Sequence, residues 1–132
     1  MYVFRRTGIT WAQEAYLKAP NAESWDSFGN SVALSGDTVA VGSVSGGSNQ
    51  TTITNGTHAS PTVLISISGA VYIFKRTGVT WTHESYLKPP NADASSFSYV
   101  TVAVSGDTVA VGSYIESSNV YYGGAVYIFV RK

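Results

Sequence analysis

The sequence predicts an all-β chain made of two tandem copies of one motif, and three observations carry that expectation. A set of short segments recurs in the same order along the 132 residues. Between turn signals lie runs of five to eight residues rich in Val, Ile, Thr, Tyr and Phe. No stretch shows the 3.6-residue period of an amphipathic helix, and Gly or Pro punctuates every candidate.

The repetition comes first, because it sets the architecture. Arg6-Thr-Gly-Ile-Thr-Trp11 returns as Arg76-Thr-Gly-Val-Thr-Trp81, and Tyr16-Leu-Lys-Ala-Pro-Asn-Ala22 returns as Tyr86-Leu-Lys-Pro-Pro-Asn-Ala92. Ser35-Gly-Asp-Thr-Val-Ala-Val-Gly-Ser43 returns unchanged at 105–113, and all three pairs are 70 residues apart. Gly69-Ala-Val-Tyr-Ile-Phe74 returns at 124–129, only 55 residues on. The difference falls in one connection, long from Ser43 to Gly69 and short from Ser113 to Gly124, which marks it as a surface loop. The chain therefore reads as a single unit, 1–132, with copies at 1–70 and 71–132.

Nine strands are expected, at 2–6, 11–18, 31–35, 38–42, 70–75, 81–87, 100–105, 108–112 and 125–131. Gly36-Asp37 and Gly106-Asp107 sit between apolar runs and predict two-residue hairpin turns of type II′ or I′. In the run from Ala70 to Phe74, Val71 and Ile73 point one way while Ala70, Tyr72 and Phe74 point the other. Both faces are apolar, so this strand must be covered on both sides. A sheet held between two like sheets meets that demand, and four short antiparallel strands per repeat is the composition of a β-propeller blade. The strand at 81–87 is mixed in polarity, as an outer edge should be.

Phe28-Gly29-Asn-Ser-Val-Ala-Leu34, followed by Val39-Ala-Val-Gly-Ser-Val44, resembles the FG-GAP repeat of integrin α-subunit propellers and of their bacterial relatives. The likeness spans essentially the whole chain. It implies an extracellular β-propeller module for recognition or adhesion, and makes Phe28, Gly29, Gly36, Asp37, Gly42, Gly69, Trp81, Gly106, Asp107, Gly112 and Gly124 the structural residues of the motif. Three departures are visible. The Gly-Ala-Pro half reads Gly42-Ser43-Val44 in the first copy and Gly112-Ser113-Tyr114 in the second. At the 70-residue offset Ser98-Tyr99 stand where the first copy has Phe28-Gly29, so the second Phe-Gly element reads as degraded. Calcium-binding members carry an Asp-x-Asp-x-Asp-Gly loop between the first two strands, where this chain has only Ser35-Gly-Asp37 and Ser105-Gly-Asp107. One carboxylate does not supply the six to eight oxygens calcium takes, so no metal site and no cofactor are expected.

Numbered from the inner strand outwards, the chain runs third and fourth, one complete blade from 31 to 88, then first, second and third. That is about two blades, a partial propeller, and a ring needs about four or more. Two expectations follow: the chain is part of a longer propeller, or copies of it associate by pairing their edge strands into a ring or a filament.

No catalytic site is expected. His58 and His83 have no partners at ligand or triad spacing and read as solvated structural residues. Glu14 and Glu84 could suggest a glycosidase pair, but they recur at equivalent places in successive blades, as Asp37 and Asp107 do, which points to structural work. No Gly-x-Ser-x-Gly elbow occurs, and Gly42-Ser-Val-Ser-Gly-Gly47 lacks the lysine and helix of a phosphate cradle. Tyr114, Tyr121 and Tyr122 have no counterparts in the first copy and form a candidate patch for sugar stacking or protein contact. Asn49-Gln-Thr51 and Asn55-Gly-Thr57 are glycosylation sequons, making Asn49 and Asn55 candidate acceptors.

Composition agrees. The formal net charge is zero and 12% of residues are charged, which argues against nucleic acid and against a polybasic membrane segment. No apolar run approaches the roughly 18 residues of a membrane span. There are no cysteines, hence no disulfides and no thiolate metal site. Met1 leads directly into a strand with no signal-peptide h-region, while the low-charge, Ser/Thr-rich style is that of a secreted or cell-surface protein, so a mature or partial product of a longer precursor is expected. The expected partners are protein, copies of this chain first, with glycans second. The alternatives are a structural subunit of an extracellular fibre and a carbohydrate-binding module.

Overall fold

The computed structural model describes residues 1–45, 52–56, 68–90, 97, 99–117 and 119–132. Ten strands and no helix occur among them. They are β1 (Tyr2–Thr7), β2 (Thr10–Tyr16), β3 (Ser31–Ser35), β4 (Thr38–Ser43), β5 (Thr54–Asn55), β6 (Ala70–Thr77), β7 (Thr80–Leu87), β8 (Val100–Ser105), β9 (Thr108–Ser113) and β10 (Ala125–Val130). All nine expected strands are present, each end within two residues of its expected place. The tenth, β5, was not foreseen. It lies in the long loop of the first copy and pairs Thr54 with Tyr86 and Asn55 with Ser85 along the outer edge of β7.

The strands form three antiparallel sheets, ordered β1-β2, β3-β4-β6-β7-β5 and β10-β9-β8. Four hairpins close on two residues whose first is a glycine in the left-handed region: Gly8, Gly36, Gly78 and Gly106, with φ of +60°, +55°, +65° and +54°. The second residue of each, Ile9, Asp37, Val79 or Asp107, has no positive φ, which is the type II′ pattern and matches the twist of the flanking strands. β1-β2 and β6-β7 share one register, Tyr2 opposite Tyr16 and Tyr72 opposite Tyr86, with a bulge at Val3/Phe4 and at Ile73/Phe74. The repeat thus extends to backbone irregularities.

The five-stranded sheet lies between the other two. Its aromatic face (Val39, Val41, Tyr72, Phe74, Tyr86) packs on Met1, Val3, Ala15 and Leu17 of the β1-β2 segment. Its aliphatic face (Ala40, Val71, Ile73, Leu87) packs on Val102, Val104, Val109, Val111, Tyr127 and Phe129 of the three-stranded sheet. Both junctions follow one rule: the aromatic face of a blade lies on the aliphatic face of the blade before it. Strand β6 is buried on both sides from Ala70 to Phe74, as its sequence requires.

The second copy's Phe is present after all. Phe28 meets Tyr72 and Phe74 edge-on, with centroids 5.4 and 6.2 Å apart, and Phe97 meets the equivalent Tyr127 and Phe129 at 5.0 and 6.3 Å. The ring has moved one residue from the 70-residue offset while keeping its place on the sheet, which corrects the expected degradation.

Candidate functional site

The repeat residues converge at the two junctions. Glu14 on β2 has a side chain only 8% exposed and accepts from the Trp81 Nε1 at 2.8 Å, from Arg76 at 3.4 Å and from Arg5 at 3.3 Å. The Trp81 N–H, followed by Arg5 and Arg76, holds this carboxyl below its ordinary value against the opposing effect of burial. Arg76 donates through Nε to Asp37 at 2.7 Å, while Asp37 accepts the Arg76 amide on its carbonyl at 2.8 Å. Its guanidinium also lies 5.7 Å from the Trp81 ring centroid. A repeated carboxylate, arginine and indole therefore tie one blade to the next, and Glu14 and Asp37 are engaged structurally.

At the second junction Glu84, Arg131 and Asp107 occupy the places of Glu14, Arg76 and Asp37. Arg131 makes a close ion pair with Glu84, lies 3.6 Å from Asp107 and gives its amide to the Asp107 carbonyl at 2.8 Å. No tryptophan covers this carboxylate, and the Glu84 side chain is 34% exposed. Beside it a cleft of about 850 Å³ opens between β7 and the outer edge of β10, lined by Lys75, Glu84, Leu87, Asp107, Phe129 and Arg131 among others.

The outward sheets expose apolar faces of opposite type. On β1-β2 the aromatic face is open, with Tyr2 58% and Phe4 56% exposed and Tyr16 stacked on Tyr2 at 4.6 Å. On β10 the aliphatic face is open, with Val126 68% and Ile128 59% exposed. Val32 and Leu34 on β3 are also half or more exposed, because β1 and β2 cover only the outer part of that sheet.

The remaining glycines have different reasons for being there. A Cβ on Gly69 would run into the carbonyls of Phe97 and Ser43, and one on Gly42 into Ser31 and Val100. Gly112 sits against Thr101, Gly29 gives its amide to the Gly42 carbonyl at 3.0 Å, and Gly124 gives its own to Glu116.

The expected tyrosine patch divides into two pairs. Tyr121 and Tyr122 stack at 4.2 Å, whereas Tyr114 leans on Tyr99 at 5.9 Å. Asn55 is exposed on β5 and accepts from the Ser85 hydroxyl at 3.0 Å; Asn49 and His58 lie outside the described residues. His83 is not solvated as expected. Its ring sits 5.4 Å from Phe74 and 6.0 Å from Tyr72, because it lies on the aromatic face opposite Phe74. Sequence reasoning also missed Lys88, which is 1% exposed and donates to the Ser68 carbonyl at 3.1 Å, the Ser68 hydroxyl at 2.6 Å and the Gly69 carbonyl at 2.8 Å. Burial lowers its pKa to about 8. Among the described residues, no group of three or more His, Asp or Glu is placed to hold a metal ion.

A profile of the FG-GAP repeat family matches residues 11–59 and 81–129, once in each copy and over well more than half of the chain. No curated protein and no solved structure matches. FG-GAP repeats typically occur in extracellular proteins and are generally non-catalytic. With the motif residues tying blade to blade in both copies, the chain belongs to the FG-GAP repeat family.

Proposed function

We propose that the chain is a non-catalytic extracellular module that acts by association through the two ends of its blade stack, with copies of itself as the first partner. The observation that carries this reading is the pair of open end faces, one aromatic and one aliphatic. They are the two halves of an interface the chain already buries twice within itself.

The magnitudes set the scale of the association. Seven side chains are half or more exposed on these surfaces: Tyr2, Phe4, Trp11, Tyr16, Val126, Ile128 and Val130. If each gains roughly half of the 1.5–3 kcal/mol of complete burial, they supply on the order of 5–10 kcal/mol. The cost in translational and rotational freedom is of similar size, about 4–15 kcal/mol. The balance is a reversible, concentration-dependent association, the behaviour of an adhesion or fibre subunit. Light scattering on residues 1–132 from about 1 to 500 μM is the test. The mass should rise with concentration, and a folded monomer across that range would overturn the proposal.

Carbohydrate binding is a second reading, favoured by one observation: the Tyr121 and Tyr122 rings stack in the open, 78% and 60% exposed. A glycan array with wild type and Tyr121→Ala tests it, and binding unaffected by the substitution would exclude this patch. Modification at Asn55, which is exposed, belongs to the same extracellular setting and is checked by the intact mass of secreted protein.

A further inference from the structure

We propose that strand β2 of a second copy adds to the open edge of β10 as the fourth strand of that blade, and places its Trp11 on Glu84. This rests on the association proposed above and specifies its contact. The observation behind it is the unequal state of the two junctions. Glu14, Arg76 and Asp37 are completed by Trp81 of β7, the strand that pairs with β6. Glu84, Arg131 and Asp107 are the same three groups in the same arrangement, beside a cleft and without an indole. The repeat-mate of Trp81 is Trp11, 66% exposed on β2.

Register makes the addition specific. β2 pairs with β1 by matching Tyr16 to Tyr2, Gln13 to Phe4 and Trp11 to Arg6. β10 carries the same side chains at the same spacing: Tyr127, Phe129 and Arg131. β10 can therefore take the place of β1 beside an incoming β2 without loss of register. The strand to yield is β1, since Tyr2 and Phe4 are more than half exposed, whereas Tyr127 and Phe129 pack into the core against Phe97. Val126 and Ile128 then assume the roles of Met1 and Val3 against the incoming copy. The outward face of β8 and β9, which carries Thr101, Ala103, Thr108 and Ala110, is brought over that copy's Val32 and Leu34. One step covers the open edge and the cleft, together with Trp11, Tyr16, Val32, Leu34, Val126 and Ile128.

Cross-linking tests this directly, because the chain has no cysteines of its own. Arg5 stands opposite Ala12 in β1-β2, and Val130 is the counterpart of Arg5 on β10. Within one chain, Ala12 and Val130 lie on sheets separated by the whole five-stranded sheet, so a bond between them must join two molecules. Mixing Ala12→Cys with Val130→Cys chains under mild oxidation should give a disulfide-linked heterodimer. A second pair, Phe4→Cys with Ile128→Cys, reports simple face-to-face stacking. If that pair links and the first does not, strand addition is overturned while association stands. If neither pair links and the protein stays monomeric, both proposals fail. Trp11→Phe, at an exposed position, should leave the monomer folded and raise the dissociation constant about tenfold or more by removing a hydrogen bond to a carboxylate. An unchanged dissociation constant would overturn the Trp11–Glu84 contact.

Discussion

Between β2 and β7 a carboxylate is covered by an indole, and between β7 and β10 its counterpart is partly open. The charged residues are equivalent in the two places, as are the hairpin turns that present Asp37 and Asp107. What differs is whether, among the described residues, the following sheet has a fourth strand. The comparison shows that a junction between blades is only partly encoded in the residues of the sheets that meet. Its completion depends on the outermost strand of the next sheet, which brings the tryptophan and the tyrosine. The same residue type is therefore core in the middle sheet and surface at an end of the stack.

Tyr72, Tyr127 and Tyr2 are repeat-mates and grade this difference. Tyr72 is fully buried, with its hydroxyl donating to Asn21 Oδ1 at 2.8 Å, Tyr127 is partly buried, and Tyr2 is more than half exposed. Replacement of Tyr72 by Ala should cost about 3–5 kcal/mol in urea unfolding, as for other large-to-small changes of buried aromatics. Tyr127→Ala should cost about 1–3 kcal/mol and Tyr2→Ala less than about 0.5 kcal/mol, both measured at concentrations where the chain is monomeric. Three similar losses would mean that the blades do not differ in burial as described.

Lys18 and Lys88 sharpen the comparison with a pH signature. Lys18 is exposed and reaches over the Tyr16 ring, whereas Lys88 is buried among carbonyls with its pKa lowered to about 8. A lysine whose folded pKa lies below its unfolded value of about 10.5 binds fewer protons when folded across that interval, so stability rises with pH there. The penalty is fully present below pH 8 and is relieved above it. Stability should increase by about 2–3 kcal/mol between pH 8 and pH 10. Above pH 10 Tyr72 acts the other way, because burial raises its pKa and the unfolded chain ionises first. Lys88→Met should flatten the rise, and Lys18→Met should leave it in place.

Acid should expose the contribution of the covered carboxylate, Glu14. Glu14 has a lowered folded pKa, so its contribution is present above its unfolded value of about 4.5 and is lost as pH falls below that. Glu14→Gln should reduce the acid sensitivity of the thermal midpoint below pH 4.5. An unchanged sensitivity would show that the indole contact does not hold this carboxylate in its charged form.

How much of this was legible in the sequence depends on which sheet supplies the partner. Strand positions and the two-faced burial of β6 follow from alternation within a single segment, and the hairpin glycines follow from local turn chemistry. Phe97 escaped because a fixed 70-residue offset tracks sequence, while the ring is placed by the sheet beneath it. β5 escaped because two residues carry too little pattern to be read. The Trp81–Glu14 bond spans 67 residues and joins different blades, so neither copy alone announces it. Lys88 differs from Lys18 only in what packs over it, and no composition rule separates them. Gly69 and Gly124 occupy one motif position for two reasons, close approach of two carbonyls in one and a φ of +70° in the other.

The smallest expected effect concerns calcium, and it bears on both junctions alike. The segment between the first two strands of each blade is a two-residue turn, Gly36-Asp37 in one and Gly106-Asp107 in the other. Each turn offers one carboxylate, and each carboxylate is already paired with an arginine of the third strand region, Arg76 or Arg131. A calcium ion takes six to eight oxygens at 2.3–2.6 Å, and here it would have to compete with a guanidinium for the only acidic group in the turn. Ligand linkage then predicts no stabilisation, because among the described residues neither turn offers calcium more than the unfolded chain does. The thermal midpoint should move by less than about 1 °C between 5 mM calcium and 5 mM chelator, and the association constant should not change. A rise of several degrees with calcium would show that a coordinating loop exists elsewhere in the chain. Repeating the titration on Asp37→Asn and Asp107→Asn would then show whether either turn contributes to it.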